Sequence, residues 1–337
     1  MKVRDVSRIK RSVFLGGMLV AAAAVGFFAG YSVRPSVQIT NQALRENTDK
    51  YNFIHPLLAV SRDNIDIPSP DYVALSRKVG KYIDEQKSTG KLMNASVYYI
   101  HYGEKSGSFA FDVEEPYSPA SLLKVVIMIA YLKKSDTDSA ILNRQIVYGD
   151  SFASKINTAT FETPSSLIVG KSYTVSELLD SMIAESDNGA MNVLFANIED
   201  SYLSKVYTEL GLQGPDEGVP YGISAKDYAL FLRVLYNATY LSDASSEKAL
   251  MTLSRATFDK GLVSGIPEGV TVAHKFGERV NGKGDRIESV ELHDCGLVYP
   301  ANSPYLLCVM TKGDSFKTLE SVIGGISKIV YEGSTAQ

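Results

Sequence analysis

Three short strings in this 337-residue chain hold side chains that can together perform acyl transfer. In chain order they are Ser121-Leu-Leu-Lys124, Ser186-Asp187-Asn188 and Lys275-Phe276-Gly277, with spacings of 65 and 89 residues. They supply a hydroxyl nucleophile with an amine nearby, a second hydroxyl with an amide, and a cation. A serine acyl-transfer site that works without histidine uses these groups. Each string alone is common in a chain of this length, so the ordered set is the informative feature.

The first string lies where an almost wholly apolar helix is predicted to begin. A helix start places unpaired backbone N–H groups and positive dipole character beside the Ser121 hydroxyl. Lys124 follows one turn later on the same face. Apolar surroundings lower the pKa of its ammonium group and make the neutral amine accessible as a base. Read in isolation, the same residues also fit an N-capping serine followed by a lysine that extends to water.

The second string supplies a proton relay and an amide. The Ser186 hydroxyl can pass a proton between the base and a leaving group, and the Asn188 side chain can orient both the lysine and a substrate amide. Asp187 is expected to bond the local backbone rather than to react. A polar turn between two helices would have the same composition.

The third string is predicted to end an apolar strand. Lys275 is a cation suited to a substrate carboxylate, and Gly277 lets a substrate approach the backbone closely. The N–H of the next residue, Glu278, can join the N–H of Ser121 as an oxyanion hole. The alternative is an ordinary lysine at the end of a strand.

The elements that must position these strings follow from periodicity and turn signals. Apolar spacing predicts helices, and aromatic and β-branched runs predict strands. Capping motifs at Thr174-Val-Ser-Glu177 and Ser224-Ala-Lys-Asp227 open two further helices. The helices are expected over 71–87, 121–131, 175–185, 225–236 and 318–330, and the strands over 95–102, 108–113, 270–276, 289–299 and 304–311. Strands at both chain ends with helices between them predict one sheet with a helical insert, and a site where the insert meets the sheet edge.

The two cysteines fall in the last predicted hairpin. If Tyr299 opposes Pro304, the same register places Cys295 opposite Cys308, close enough for a disulfide. A location outside the cytoplasm would permit that bond. The alternative is two buried thiols packed as small apolar side chains. The four histidines, at 55, 101, 274 and 293, are dispersed, so the sequence predicts neither a metal site nor a cofactor.

The amino-terminal region predicts a membrane anchor. Residues 13–31 carry no charge and are long enough to cross a bilayer as a helix. Basic residues before them predict a cytoplasmic amino terminus and an extracytoplasmic remainder. We therefore expect a cytoplasmic basic segment over 1–12, a transmembrane anchor over 13–33, a linker over 34–69 and a catalytic domain over 70–337. Small residues near Tyr31 leave a cleaved signal peptide as the alternative.

Charge narrows the choice of partner. The whole chain has a net charge of −4, and because residues 1–12 hold five basic side chains against one acid, the remainder sums to −8. No basic stripe is available to bind a phosphate backbone, so nucleic acid is not expected as a partner.

Over residues 70–332 the sequence resembles the penicillin-recognising serine hydrolases, and most closely the class A β-lactamase-like domain. The resemblance rests on Tyr117-Ser-Pro-Ala-Ser-Leu-Leu-Lys124, on the run from Gly170 through Thr174-Val-Ser-Glu-Leu-Leu into Ser186-Asp-Asn, and on Asp294-Cys-Gly-Leu-Val-Tyr299. It implies an α/β fold: a three-layer α/β/α sandwich on an antiparallel sheet, with a helical subdomain. By the same resemblance Ser121 is the acylated nucleophile, Lys124 its base and Ser186 the proton relay, while Asn188 and Lys275 bind substrate.

Two departures from that family bear on turnover. Efficient β-lactamases of the family carry a Glu-x-x-Leu-Asn loop whose glutamate activates the deacylating water. The corresponding stretch here, residues 211–224, lacks the pattern and offers only Asp216 and Glu217 as substitutes. Phe276 also stands where the family usually has Thr or Ser, which removes a hydroxyl that would help to hold a carboxylate. The sequence therefore predicts acylation with weak deacylation.

These observations lead to one main hypothesis and one alternative. The main hypothesis is a membrane-anchored serine hydrolase that faces the cell envelope and forms an acyl-enzyme on β-lactam or peptidoglycan amide bonds. The alternative is a catalytically silent module of the same fold that binds an envelope component. A lipase-like mechanism is disfavoured because the chain lacks a G-x-S-x-G elbow and a suitably placed histidine.

Overall fold

The computed structural model describes residues 51–56, 69–103, 106–153, 160–161, 165–216, 218–283, 286–301 and 303–335. The predicted basic segment 1–12, the predicted anchor 13–33, most of the predicted linker 34–69 and Glu217 lie outside these residues. Within the described ranges, no helix combines the length and the apolar character needed to cross a membrane.

A five-stranded antiparallel sheet is built from the two ends of the described chain, as predicted. Its strands are β1 (Leu92–His101), β2 (Gly107–Phe111), β5 (Thr271–Lys283), β6 (Arg286–Tyr299) and β7 (Tyr305–Gly313), in the spatial order β2-β1-β7-β6-β5. The short strands β3 (Gln145–Val147) and β4 (Ser172–Thr174) pair separately. Strand β5 is therefore an edge strand of the main sheet.

Helices cover both faces of this sheet. Helices α1 (Val73–Ser88) and α9 (Phe316–Thr335) pack on one face over an apolar cluster that includes Val97, Leu307 and Val309. Helices α2 (Lys124–Ser135) and α7 (Ala225–Tyr236) belong to the cluster on the other face. The remaining described helices are α3 (Asp150–Ala153), α4 (Val175–Ala184), α5 (Asn188–Asn197), α6 (Asp200–Glu209) and α8 (Asp243–Leu253). The predicted α/β architecture on an antiparallel sheet is confirmed.

The helix starts predicted from the two capping motifs are also confirmed. Thr174 and Glu177 form a reciprocal capping box at α4, and Ser224 Oγ accepts the N–H of Asp227 at the start of α7. The helix with apolar residues all round, α2, is buried on every side from Lys124 to Leu132. A helix without a polar face is stable only when packing surrounds it.

The prediction that Lys275 ends its strand is wrong. Strand β5 continues to Lys283 and pairs with β6 as far as the Lys283–Arg286 pair. The residues after Gly277 are largely polar and partly exposed, so apolar alternation stops although the ladder of backbone hydrogen bonds continues. Lys275 therefore lies in the middle of a long edge strand rather than at its end.

The disulfide is present. Cys295 and Cys308 are directly opposed in the β6–β7 register and are bonded to each other. The same row across the sheet continues to Lys275 on β5 and to Tyr98 on β1. Because directly opposed residues share a face of a sheet, the disulfide and the Lys275 side chain lie on the same face.

The described part of the predicted linker lies against the domain. The carboxylate of Glu247, on α8, accepts the backbone N–H groups of Asn52, Phe53 and Ile54 at 2.8, 3.0 and 3.1 Å. The ring of Phe53 also packs edge-on against Tyr299, with the centroids 5.4 Å apart.

Candidate active site

Ser121 occupies a 3-10 turn, Ala120–Leu123, that leads directly into α2. The residue before it, Ala120, has a φ of 47°, in the left-handed region that an alanine rarely adopts. Strained backbone of this kind is concentrated at functional sites, where surrounding structure maintains it. Ser121 is partly exposed, whereas Lys124, three residues later, is fully buried.

Lys124 is held by Ser186. Its ammonium group donates hydrogen bonds to the backbone carbonyl of Ser186 and, over 3.1 Å, to Ser186 Oγ. Ser186 lies between the end of α4 and the start of α5, with a φ of 58°. It is buried. The second string therefore supplies two oxygens that hold the amine of the first.

Lys275 reaches the same hydroxyl. Its ammonium group donates to Ser186 Oγ at 2.9 Å and to the carbonyl of Phe276 at 3.1 Å. A serine oxygen has two lone pairs, so both ammonium groups can be accepted at once. The structure thus brings together Lys124, Ser186 and Lys275 from the three strings, beside the turn that carries Ser121.

Asp187 and Asn188 follow Ser186 at the start of α5. Asp187 caps α5 by accepting the N–H of Ala190 at 3.0 Å, and its other oxygen accepts the hydroxyls of Ser165 and Ser181 at 2.5 and 3.3 Å. The prediction that Asp187 bonds local backbone is confirmed. Asn188 is the first residue of α5 and is partly buried.

Gly277 lets the edge strand approach the serine turn. A Cβ atom at this position would lie 2.7 Å from the carbonyl oxygen of Pro119 and 3.3 Å from the N of Leu122. Any larger residue would push β5 away from the turn. The next residue, Glu278, follows on the edge strand, and its side chain accepts the N–H of Phe161 at 2.8 Å.

Phe276 belongs to an aromatic cluster that sequence reasoning missed. Its ring stacks on Phe258 at 4.0 Å, and Phe161 contacts Phe258, Phe276 and Phe316 edge-on. The Lys275 ammonium lies 4.2 Å from the centroid of the Phe276 ring. These phenylalanines are far apart in the sequence, so no local pattern could have predicted the cluster.

Residues 211–224 form the loop that was considered as a source of a deacylating acid. Asp216 is exposed at a cavity of about 260 Å³ that is also lined by Gln213, Tyr221 and Asp227. The loop ends at Ile223, which exchanges two backbone hydrogen bonds with Tyr117 at 2.9 and 3.0 Å. Ile223 therefore connects this loop to the segment that leads to Ser121.

Sequence reasoning also missed Glu291 and His293, both on β6. They contact the backbone of Ser118, three residues before Ser121. In the sequence His293 is one of four dispersed histidines, with no neighbour that marks it as functional. Within the described part of the chain, no group of three or more His, Cys, Asp or Glu side chains is arranged to hold a metal ion.

The antiparallel sheet, its helical layers and the serine–lysine cluster at the edge strand define the class of the penicillin-recognising serine enzymes. Within that class the chain belongs to the β-lactamase enzyme family, which matches it over residues 74–333. It is therefore a hydrolase of the type that acts on cyclic amide bonds.

Solved structures have the same fold. PBP-A is 21% identical, with a TM-score of 0.65, over 79% of this chain and 97% of PBP-A. A class A β-lactamase from Mycobacterium abscessus is 21% identical, with a TM-score of 0.63, over 75% of this chain and 98% of that enzyme. A β-lactamase from Xanthomonas campestris is 20% identical, with a TM-score of 0.63, over 77% and 98%. No protein with a curated description matches the chain in sequence.

Proposed function

We propose that the protein is a membrane-anchored serine hydrolase of the cell envelope that forms an acyl-enzyme at Ser121 and releases it slowly. The observation that carries this proposal is the convergence of Lys124 and Lys275 on Ser186 Oγ, beside the turn that holds Ser121. A binding module has no evident need for two buried amines on one hydroxyl.

In the proposed acylation, the neutral amine of Lys124 takes the proton of Ser121 Oγ as that oxygen bonds to the amide carbonyl carbon. Burial and the nearby Lys275 cation both disfavour a second positive charge at Lys124. The N–H groups of Ser121 and Glu278 stabilise the tetrahedral oxyanion. As the C–N bond breaks, Ser186 Oγ gives its proton to the departing nitrogen and is reprotonated from Lys124. Asn188 and Lys275 hold the amide and the carboxylate of the substrate.

Slow hydrolysis of the acyl-enzyme is expected from the residues that surround the serine and the two lysines. Residues 211–224 lack the glutamate pattern that family β-lactamases use to activate water, and Asp216 in that stretch is exposed. Loss of a general base costs on the order of 10²–10⁴ in rate. Phe276 replaces a hydroxyl with a ring committed to packing on Phe258. One structure with this fold, that of a PBP-A mutant, was solved as an acyl-enzyme complex with penicillin G, which supports the analogy.

Intact-mass measurement tests the acylation claim. The full chain in detergent is incubated with penicillin G, alongside Ser121→Ala as the matched control. We expect the wild type to gain one penicillin mass and to retain it over hours, while Ser121→Ala gains none. An unmodified wild type would refute acylation, and rapid loss of the adduct with accumulation of hydrolysed penicillin would refute slow release.

The anchor and the envelope location are supported by the uncharged stretch 13–31 and by the disulfide between Cys295 and Cys308, because disulfides persist in oxidising compartments. Alkaline phosphatase fused after Gln337 should be active in a bacterial host, and a green fluorescent protein fusion at the same point should be dark. The reverse pattern would refute the topology. Recovery of a chain lacking residues 1–33 would indicate a cleaved signal instead.

Phe276 is the observation that favours a second candidate, a silent module of the same fold that binds an envelope component. Its ring fills the aromatic cluster where the family usually has a hydroxyl. Complementation separates the two functions. If a Ser121→Ala chain restored the phenotype of a deletion strain completely, binding without chemistry would be the function.

A further inference from the structure

Two polar side chains on β6 hold the backbone that leads to Ser121. Glu291 and His293 lie two residues apart and so face the same side of the sheet. His293 stands opposite Gly277 on β5 and Met310 on β7. The Tyr117–Pro119 segment crosses this row. Its first residue reaches Ser96 on β1 through the Tyr117 hydroxyl at 3.0 Å.

Every backbone polar group of that segment has a partner. Tyr117 exchanges both of its hydrogen bonds with Ile223, and the carbonyl of Pro119 accepts the N–H of Leu122 at 2.9 Å. The two groups of Ser118 go to β6: its N–H donates to Glu291 Oε2 at 3.0 Å, and its carbonyl faces His293 Nε2 at 3.1 Å. Side chains from the sheet therefore provide partners for the Ser118 N–H and carbonyl groups, which no neighbouring backbone group among the described residues pairs with.

Glu291 is itself fixed. It is 6% exposed, and its second oxygen accepts the side-chain N–H of Asn281 at 2.9 Å. Burial alone raises the pKa of the Glu291 carboxyl. The contacts with His293 and Asn281, together with the N–H of Ser118, outweigh burial and hold this pKa below its usual range. The acceptor that faces Ser118 is thus a carboxylate.

The proton of His293 is assigned by its partners. The ring is fully buried, and its Nδ1 accepts the backbone N–H of Thr311 at 3.2 Å. Nδ1 therefore carries a lone pair, and the proton lies on Nε2, which faces the Ser118 carbonyl at 3.1 Å and Glu291 Oε2 at 3.6 Å. The ring of Tyr117 packs edge-on against the imidazole, 5.1 Å between centroids.

We propose that Glu291 and His293 are positioning residues for the nucleophile. They fix the Ser118 peptide on the sheet, and with Gly277 they set the distance between the Ser121 turn and β5, which carries Lys275 and Glu278. This inference rests on the proposed function, because what is positioned is the attack of Ser121. Displacement of a reacting atom by about 1 Å can cost on the order of 10² in rate.

The test pairs variants that keep the hydrogen-bonding atom with variants that remove it. Glu291→Gln keeps an acceptor for the Ser118 N–H, and His293→Gln keeps a donor at the Nε2 position. Glu291→Ala removes the acceptor for the Ser118 N–H, and His293→Leu removes the donor to the Ser118 carbonyl. Glu288→Ala, at an exposed position on the same strand, is the control. Acylation by penicillin G is followed in the full chain under single-turnover conditions, and the acylation rate constant is separated from the non-covalent dissociation constant.

We expect Glu291→Ala and His293→Leu to lower the acylation rate constant 10- to 100-fold and to change the dissociation constant less than threefold. The two Gln variants should recover most of the rate, and the control should match the wild type. Because both side chains are buried, their removal is expected to lower stability. All rates are therefore measured at temperatures well below each variant's thermal unfolding midpoint. Folded Ala and Leu variants that acylate at the wild-type rate would overturn the proposal, as would a change confined to the dissociation constant.

Amide hydrogen exchange tests the positioning role even if the proposed acylation is wrong. A wild type that penicillin does not modify refutes acylation, whatever holds Ser118. In that case exchange of the peptide covering 117–124 still reports the contacts. We expect Glu291→Ala to speed this exchange about tenfold relative to Glu288→Ala. Equal protection in these two variants would refute the contacts' positioning role independently of any chemistry.

Discussion

Lys124 and Lys275 donate hydrogen bonds to one oxygen atom, Ser186 Oγ, at 3.1 and 2.9 Å. Both lysines and the serine are buried. An oxygen that accepts from two ammonium groups must direct its own hydrogen elsewhere, whereas it can donate to Lys124 once that amine is neutral. The protonation state of Lys124 therefore decides which way Ser186 can move a proton.

Ser186→Ala should remove the oxygen atom to which both lysines donate. We expect the acylation rate to fall on the order of 10²–10⁴, because the relay to the departing nitrogen is lost. The free energy of unfolding should fall by about 1–3 kcal/mol, because two buried donors lose an acceptor. Single-turnover acylation and urea unfolding measure the two effects. Ser166→Ala, at an exposed serine in a loop, should alter neither. Acylation within threefold of the wild type would remove Ser186 from the mechanism.

Gly277→Ala should separate β5 from the serine turn. The added Cβ would lie 2.7 Å from the Pro119 carbonyl oxygen, too close without movement of backbone. We expect a loss of stability of about 1–3 kcal/mol and slower acylation. Gly149→Ala is the matched control, because a Cβ there would meet only Ser151 Oγ, at 3.9 Å. Equal behaviour of the two variants in thermal unfolding and acylation would contradict the close contact.

Phe276→Thr should lower the free energy of unfolding and strengthen the binding of a substrate carboxylate. Removal of a ring that stacks on Phe258 at 4.0 Å should cost about 3–5 kcal/mol. The new hydroxyl can hydrogen-bond a carboxylate beside Lys275, so we expect non-covalent binding of penicillin G to tighten 3- to 10-fold. Phe276→Leu should be destabilised without this gain. If both variants bind penicillin equally, a hydroxyl at this position does not determine recognition.

The disulfide should contribute to stability. Joining Cys295 to Cys308 closes a loop of 13 residues, for which we expect about 2–3 kcal/mol. The Cys295→Ala/Cys308→Ala double variant should unfold at correspondingly lower urea concentration. Thiol titration of the denatured, non-reduced wild type should find no reactive thiol. Two reactive thiols would show that the bond does not form in the purified protein.

His101 should make folding less favourable at acid pH. Burial lowers the pKa of this histidine from 6.5 to about 4. Between these values the unfolded chain binds a proton that the folded chain does not, so stability falls as pH drops from 6.5 to 4 and this contribution then levels off. The difference is worth up to about 3 kcal/mol. His101→Asn should flatten this part of the pH–stability curve. An unchanged slope would refute the assignment to His101.

Local rules in the sequence predicted much of the fold. The capping residues Thr174 and Ser224 mark helix starts because a side chain must satisfy the first N–H groups. The opposition of Cys295 and Cys308 followed from the length of one hairpin turn. The juxtaposition of Ser121, Lys124, Ser186 and Lys275 was expected from their order and from a family resemblance. In the structure the two lysines donate to the Ser186 hydroxyl, beside the turn that carries Ser121.

Other features had no local signal. The hydrogen bond from Ser118 to Glu291 joins residues 173 apart, and its donor is a backbone N–H that every non-proline residue has. Phe258 and Phe276 likewise have no sequence signal beyond that of ordinary core residues, and only the fold stacks them beside Lys275. The extension of β5 beyond Lys275 was missed because a polar edge strand is held by backbone pairing, which leaves no apolar periodicity.

The three backbone N–H groups that converge on Glu247 have a mechanical consequence. A force applied along the chain from its amino-terminal side meets the Asn52–Ile54 contacts before it meets any strand of the main sheet. The Asn52–Ile54 contacts would therefore break first under load. The sheet that carries Lys275, opposite Cys295, would bear the force only after that.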